Sequence, residues 1–158
     1  MPTLAPELKV SQWLNTSDPI TLAGLRGKVV VIEVFQMLCP GCVSHGLPQA
    51  SRVLETFSPQ DVTVLGLHSV FEHREAQGSR AALQAFMIEY RIRFPVAIDA
   101  HTEGSLLPDT MQAYHLQGTP SLVLIDRQGQ VAQTHLGVVS ELALGAQIMR
   151  LIGEFGDS

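Results

Sequence analysis

The chain holds two cysteines in 158 residues, and both fall inside one stretch, Glu33-Val34-Phe35-Gln36-Met37-Leu38-Cys39-Pro40-Gly41-Cys42. Two thiols separated by two residues close on one another only where a chain turns into a helix, since helical spacing then brings the sulfurs together. The run from Lys28 to Phe35 is β-branched, almost wholly apolar and bounded by Gly27-Lys28, as a strand buried on both faces should be. Cys39 therefore falls just past a strand end. Pro40 suits the first turn of a helix, where its missing N–H costs nothing. A cysteine at a helix N-terminus meets unpaired N–H groups and the positive end of the dipole, both of which favour thiolate over thiol. Cys39 is a candidate nucleophile on these grounds.

Other uses of two cysteines are weaker fits. A structural disulfide across so short a span closes almost no loop and stabilises little through chain entropy, which favours a redox role. A structural zinc site needs four ligands, usually from two such pairs, and one pair is present. His45 follows Cys42 closely enough that Cys39, Cys42 and His45 could share a copper or zinc ion. Haem attachment requires histidine directly after the second cysteine, where Val43 stands.

A chain of this length reads as a single domain spanning residues 1–158, burying about 70% of the surface its unfolded form exposes. The net charge of −5 and the 16% charged content leave no cluster of Lys and Arg for nucleic acid or anionic lipid. The N-terminal Met1 to Glu7 lacks the charged start and apolar run of a signal peptide, and no run reaches membrane-spanning length. The expectation is a soluble, cytoplasmic protein with no nucleic-acid or membrane partner, or a periplasmic one if a leader has been removed.

Along the chain, Leu4 to Ile20 mixes polar and apolar residues in an extended or hairpin lead-in, with Trp13 as a packing residue. Val43 to Phe57 has near-helical apolar spacing, and Pro48 should kink that helix. Val62 to Leu67 reads as a second buried strand. Two buried strands joined by a helix imply a parallel, right-handed crossover, whose strand ends open on the edge where α/β sheets place ligands. That brings His68 to the rim that carries Cys39. Further on, the pattern predicts a helix over Ser79 to Tyr90, a strand over Pro95 to Ile98 and a short helix over Leu106 to Tyr114. Ser121 to Ile125 and Val131 to Leu136 form a hairpin about Asp126-Arg127-Gln128-Gly129, and a last helix runs from Ser140 to Ile152.

This order, with Cys39-Pro40-Gly41-Cys42 opening a helix and Gly118-Thr119-Pro120 leading into a hairpin and a last helix, resembles the thioredoxin fold. More narrowly it resembles the TlpA-like thiol-disulfide oxidoreductases (redoxins), from about Leu4 to Phe155. Position by position, the match rests on the cysteine pair, on Glu33 six residues before the first cysteine, and on Thr119-Pro120 before the hairpin. The resemblance implies an α/β fold: a central mixed sheet flanked by helices, with an N-terminal extension and a central insertion. It implies that Cys39 attacks a partner disulfide and Cys42 resolves the mixed disulfide. Glu33, desolvated in an apolar strand, would exchange a proton with Cys42. Pro120 would be the cis-proline facing the pair, and Thr119 would offer backbone groups to an extended substrate segment. No cofactor is implied beyond the redox-active disulfide, and no metal. The implied partners are a disulfide-containing protein or small thiol and a thioredoxin-type electron donor.

The chain also departs from that family. Leu38 stands where an aromatic residue usually precedes the pair, and Pro48 lies six rather than five residues past Cys42, the mark of a one-residue bulge. Of six histidines, His45 and His68 fall near the thiols; His68 as imidazolium would stabilise the Cys39 thiolate. Peroxide reduction is the neighbouring alternative, since Leu25 to Val30 is shared with peroxiredoxins. Those enzymes, however, place Pro and Thr or Ser where Ile32 and Gln36 stand here. A non-catalytic redox-sensing or metal-binding module is the remaining alternative.

Overall fold

The computed structural model of the protein describes residues 3–154, so Phe155, the far end of the resemblance, lies outside the described residues. Strand β3, Val29–Phe35, is the centre of a seven-stranded sheet, and every one of its residues is buried. It pairs in parallel with β4, Val62–His68, and antiparallel with β6, Ser121–Ile125. Beyond β4 lie β5, Val96–Asp99, and β2, Val10–Leu14; beyond β6 lie β7, Gln130–Leu136, and β1, Thr3–Leu4. The lead-in is thus extended rather than a hairpin. Its two short strands dock on opposite edges of the sheet, where each finds unpaired backbone groups to satisfy.

Strand alternation sends β3 side chains to two separate cores. Val29, Val31 and Phe35 pack with α1 (Leu47–Thr56), α3 (Arg80–Glu89) and α5 (Glu141–Gly153). Val30, Ile32 and Val34 pack on the other face with Met111 of α4, Asp109–Ala113. Glu33, in phase with the first set, points to the α1 side. Ser79 and Ser140 cap α3 and α5 by accepting from the backbone N–H groups of Ala82 and Ala143. Gly129, at φ +85°, turns the β6–β7 hairpin.

The insertion after β4 comprises the one-turn helix α2 (Arg74–Gln77), α3 and β5; α2 has no counterpart among the sequence-based expectations. Among the described residues no helix is long and apolar enough to cross a membrane.

Candidate functional site

Cys39 is the last non-helical residue after β3, and Pro40 opens the helix. The Cys39 carbonyl accepts from Val43 N–H at 3.1 Å, and its Sγ accepts from Cys42 N–H at 3.3 Å. The sulfur thus takes the place of an N-cap oxygen. It also lies 3.5 Å from the Thr119 carbonyl, to which the thiol donates. Cys39 is partly exposed and Cys42 fully buried, and both are free thiols. Burial pushes the Cys42 thiol far up, and its contact with Cys39 pushes the same way; a backbone contact at Gln36 and the Thr119 hydroxyl oppose the rise.

The helix then departs from α geometry. Cys42–Gly46 form a π turn, closed by Leu47 N–H bonding to the Cys42 carbonyl, before α1 begins with Pro48 at its N-terminal turn. This is the extra residue that the offset of Pro48 requires, and it takes the place of the expected kink. The π turn also sets Gly46 over the Glu33 carboxyl: a Cβ at Gly46 would lie 2.1 Å from Glu33 Oε1 and 3.2 Å from Pro120 Cβ. Glu33 is 1% exposed, and its Oε1 has no hydrogen-bond partner. Burial raises its pKa well above 4.5, and a negative charge on Cys39 raises it further.

The Thr119-Pro120 bond is cis, and Pro120 packs close to Gly41 and Gly46. Glu33, Cys39, Cys42, Thr119 and Pro120 therefore converge at one end of β3. His45 is near but outside this group; it sits exposed on the π turn with Nδ1 2.7 Å from Ser44 Oγ. Among the described residues no three His, Cys, Asp or Glu side chains are grouped to hold a metal ion, so the shared site of Cys39, Cys42 and His45 does not assemble.

His68 requires a correction. It does reach the expected rim, but its ring is buried against Phe35, with centroids 5.1 Å apart, and its Nε2 accepts from Met37 N–H at 3.3 Å. Desolvation lowers its pKa to about 4, so it is neutral where a thiolate needs a cation. Its role here is to hold the backbone of the approach loop.

Three site residues escape the sequence. Gln36 and Gln77, each 1% exposed, form a buried amide pair beneath the loop before Cys39. Gln36 Nε2 donates to Thr119 Oγ1 at 3.1 Å, and Gln77 Oε1 accepts from Leu38 N–H at 2.9 Å. Gly46 is the third. A polar residue directly after a wholly buried strand was a visible signal for Gln36; Gln77 left none.

Fold and dithiol together define a thioredoxin-like protein with a centre of the thiol-disulfide oxidoreductase type. The chain belongs to the AhpC/TSA family, whose model matches residues 3–134. A crystal structure described as a thioredoxin-like superfamily protein is 54% identical, with a TM-score of 0.95 over 98% of this chain and 99% of that one. A thiol-disulfide isomerase from Corynebacterium glutamicum is 46% identical, with a TM-score of 0.91 over 96% and 98% of the two chains. An NHL repeat-containing protein 2 from Bos taurus is 29% identical over 138 residues, 85% of this chain. The chain spans 18% of that relative's length.

Proposed function

We propose that this chain is a disulfide reductase in which Cys39 attacks a partner disulfide and Cys42 resolves the adduct. The observation that carries the reading is the asymmetry of the dithiol. Cys39 stands partly exposed at a helix start, while Cys42 lies buried with its N–H on the Cys39 sulfur. Cys39 thiolate bonds one sulfur of the partner and releases the other as a thiolate. Cys42 then loses its proton to Glu33 and attacks Cys39 Sγ. The Cys39–Cys42 bond forms, the mixed disulfide breaks, and two electrons have passed to the partner.

Formation of the mixed disulfide removes the negative charge on Cys39, and with it one of the two causes that hold Glu33 protonated. Glu33 is thereby made ready to accept the Cys42 proton at the step that needs it. A protein substrate suits the surroundings. Leu38 beside Cys39 is exposed, as are Leu136 and Val138, which flank Gly137; Gly137 N–H bonds the Pro120 carbonyl at 2.8 Å. An extended segment laid against Thr119 would cover these apolar side chains. The relative named as a thiol-disulfide isomerase supports the exchange class. A thioredoxin-type donor would return the electrons, and a thiol-reducing compartment such as the cytoplasm would set the reductive direction.

The test is trapping. Cys42→Ser should accumulate a mixed disulfide with insulin that dithiothreitol releases, Cys39→Ser should form none, and the unaltered chain should reduce insulin catalytically. Efficient NADPH-coupled peroxide consumption with no insulin reduction would replace this reading with peroxide reduction, the chemistry suggested by the shared Leu25 to Val30 approach.

A further inference from the structure

Two adjoining grooves, of 590 and 320 Å3, share one wall built from Arg91, Ile92 and Arg93. The wall follows from how α3 ends. Arg91 N–H bonds the Ile88 carbonyl at 3.2 Å and Ile92 N–H the Met87 carbonyl at 2.9 Å, the pair of bonds that closes a helix on a left-handed residue. That residue is Arg91, at φ +53°, where glycine is usual. Ile92 is buried with Met87 in the core, and Arg91 and Arg93 on either side of it are exposed. Among the described residues the ion pairs join Arg52 to Glu141 and Arg127 to Asp61, so neither guanidinium of the wall has a carboxylate. The carbonyl end of α3 favours one cation nearby. It calls neither for two nor for an arginine in a glycine position.

Arg52 lines the larger groove and Arg80 the smaller, and among the described residues Glu55 is the one carboxylate that lines either. This excess of cations stands in a chain of net charge −5. No basic run marks it in the sequence, since the four arginines are spread between positions 52 and 93. Exposed apolar surface adjoins the charge, with Tyr90 in the larger groove and Ile88 in the smaller. Arginine and tyrosine are enriched where proteins bind one another, and a guanidinium holds a carboxylate through two parallel hydrogen bonds.

The larger groove leads to the dithiol. Its other wall is the stripe Val43, Leu47, Ser51 and Glu55, which continues every four residues from Cys39 along one side of the active-site helix. Val43 N–H bonds the Cys39 carbonyl, and Leu47 N–H that of Cys42. From Cys39 to Glu55 the stripe is about 24 Å long, the reach of about seven extended residues. We infer that this arginine-walled groove docks an acidic, extended segment of the protein whose disulfide Cys39 attacks. The inference rests on the dithiol reading above and adds a partner chemistry to it: carboxylates a few residues from the disulfide meet Arg91 and Arg93 while the partner sulfur meets Cys39.

The test compares two synthetic peptides, each joined through one cysteine to a thiopyridyl group. One carries a run of glutamates about four to eight residues from that cysteine, and the other carries glutamines in their place. Cys39 thiolate bonds the peptide sulfur and expels thiopyridone, whose absorbance is followed by stopped flow. Neutral dipyridyl disulfide is the small substrate; it releases one thiopyridone at first attack, the first phase, and another at resolution, the second phase. At low salt the glutamate peptide should be attacked with a second-order rate constant about tenfold above that of the glutamine peptide. The overall charge of −5 would give the opposite preference. The difference should fade in about 0.5 M salt. Arg91→Gly, which installs the residue that the backbone prefers, and Arg93→Gln should together bring the ratio to about one. Both phases with dipyridyl disulfide should stay within about twofold of wild type in that double variant. Arg150→Gln on α5, which lines neither groove, should keep the ratio. Equal rates for the two peptides with wild type, or a preference that survives the double variant, overturns the inference and leaves the dithiol reading intact. A wild type that shows no second phase with dipyridyl disulfide overturns the dithiol reading, and the inference with it.

Discussion

Glu33 and Gln36 lie in one short stretch of chain and are equally buried at 1% exposure, yet the fold treats them in opposite ways. Gln36 makes four hydrogen bonds, to Phe71, Glu72, Gln77 and Thr119. Glu33 keeps an oxygen with no partner at all. An unmet buried polar group costs about 1–3 kcal/mol, so the difference is not incidental. A side chain that must stay in one state has every group bonded; one that must take up and release a proton cannot have its carboxyl fixed in either form. The satisfied amide holds geometry, and the unsatisfied acid moves a proton.

The sharpest way to break that contrast is Glu33→Gln, which makes the acid as inert as the amide. Resolution should slow about a hundredfold near neutral pH and lose its dependence on an acidic group, while first attack by Cys39 is unaffected. Stability should respond as well. The folded pKa of Glu33 is raised, so its contribution is full below the ordinary 4.5 and declines as pH rises towards the folded value. The variant should lack that decline, and denaturant titrations of the two proteins at several pH values would show the curves diverging on the alkaline side. Parallel curves would mean that Glu33 ionises without penalty and that its environment is not the one described here.

Gly46→Ala sharpens the same contrast through space rather than charge. In an ordinary helix interior alanine is favoured over glycine by about 0.5–1 kcal/mol. Here the added methyl would meet Glu33 Oε1 at 2.1 Å with Pro120 close behind it, and overpacking of this sort costs about 1–3 kcal/mol. The clash should win, giving a lower denaturation midpoint and a second phase slowed about tenfold. In the Glu33→Gln background the same change should add little to the kinetic loss, because the displaced group has already stopped exchanging protons. A Gly46→Ala protein more stable than wild type would show that the carboxyl has room elsewhere.

How far the sequence discloses these features depends on whether a local pattern encodes them. Buried strands such as Val29–Phe35 announce themselves by composition, the capping Ser140 by position, and the extra residue between Cys42 and Pro48 by counting. The converging residues Glu33, Cys39, Cys42, Thr119 and Pro120 were likewise legible through their family-like spacing. What stayed hidden depends on long-range contact. The Gln36–Gln77 pair joins residues 41 apart, across α1 and β4, and α2 is a single turn too short to show a period. The lead-in read as either extended or hairpin, and only its long-range docking, with β1 and β2 on opposite sheet edges, selects the extended form. His68 was placed correctly by strand topology but given the wrong charge, since nothing local revealed that Phe35 and Met37 would shut it from water.

That histidine supplies the smallest and most specific test, because its pH response should run opposite to that of Glu33. Its folded pKa is lowered from 6.5 to about 4 by burial, so the stability it contributes is full above 6.5 and is lost as pH falls towards 4. The complete swing is at most about 3 kcal/mol. His68→Gln keeps an acceptor for Met37 N–H and removes the titration, so the variant should lose less stability than wild type between pH 6.5 and 4. Arg74, Glu75, Asp99 and His101 line the same 410 Å3 cavity, and Asp99, whose pKa is raised, contributes a slope of the other sign that the substitution leaves in place. The difference between the two proteins therefore isolates the imidazole. First attack by Cys39 should proceed at the same rate in both above pH 6.5, since a neutral ring offers a thiolate no charge. A slower attack in the variant in that range would return the imidazolium to the mechanism.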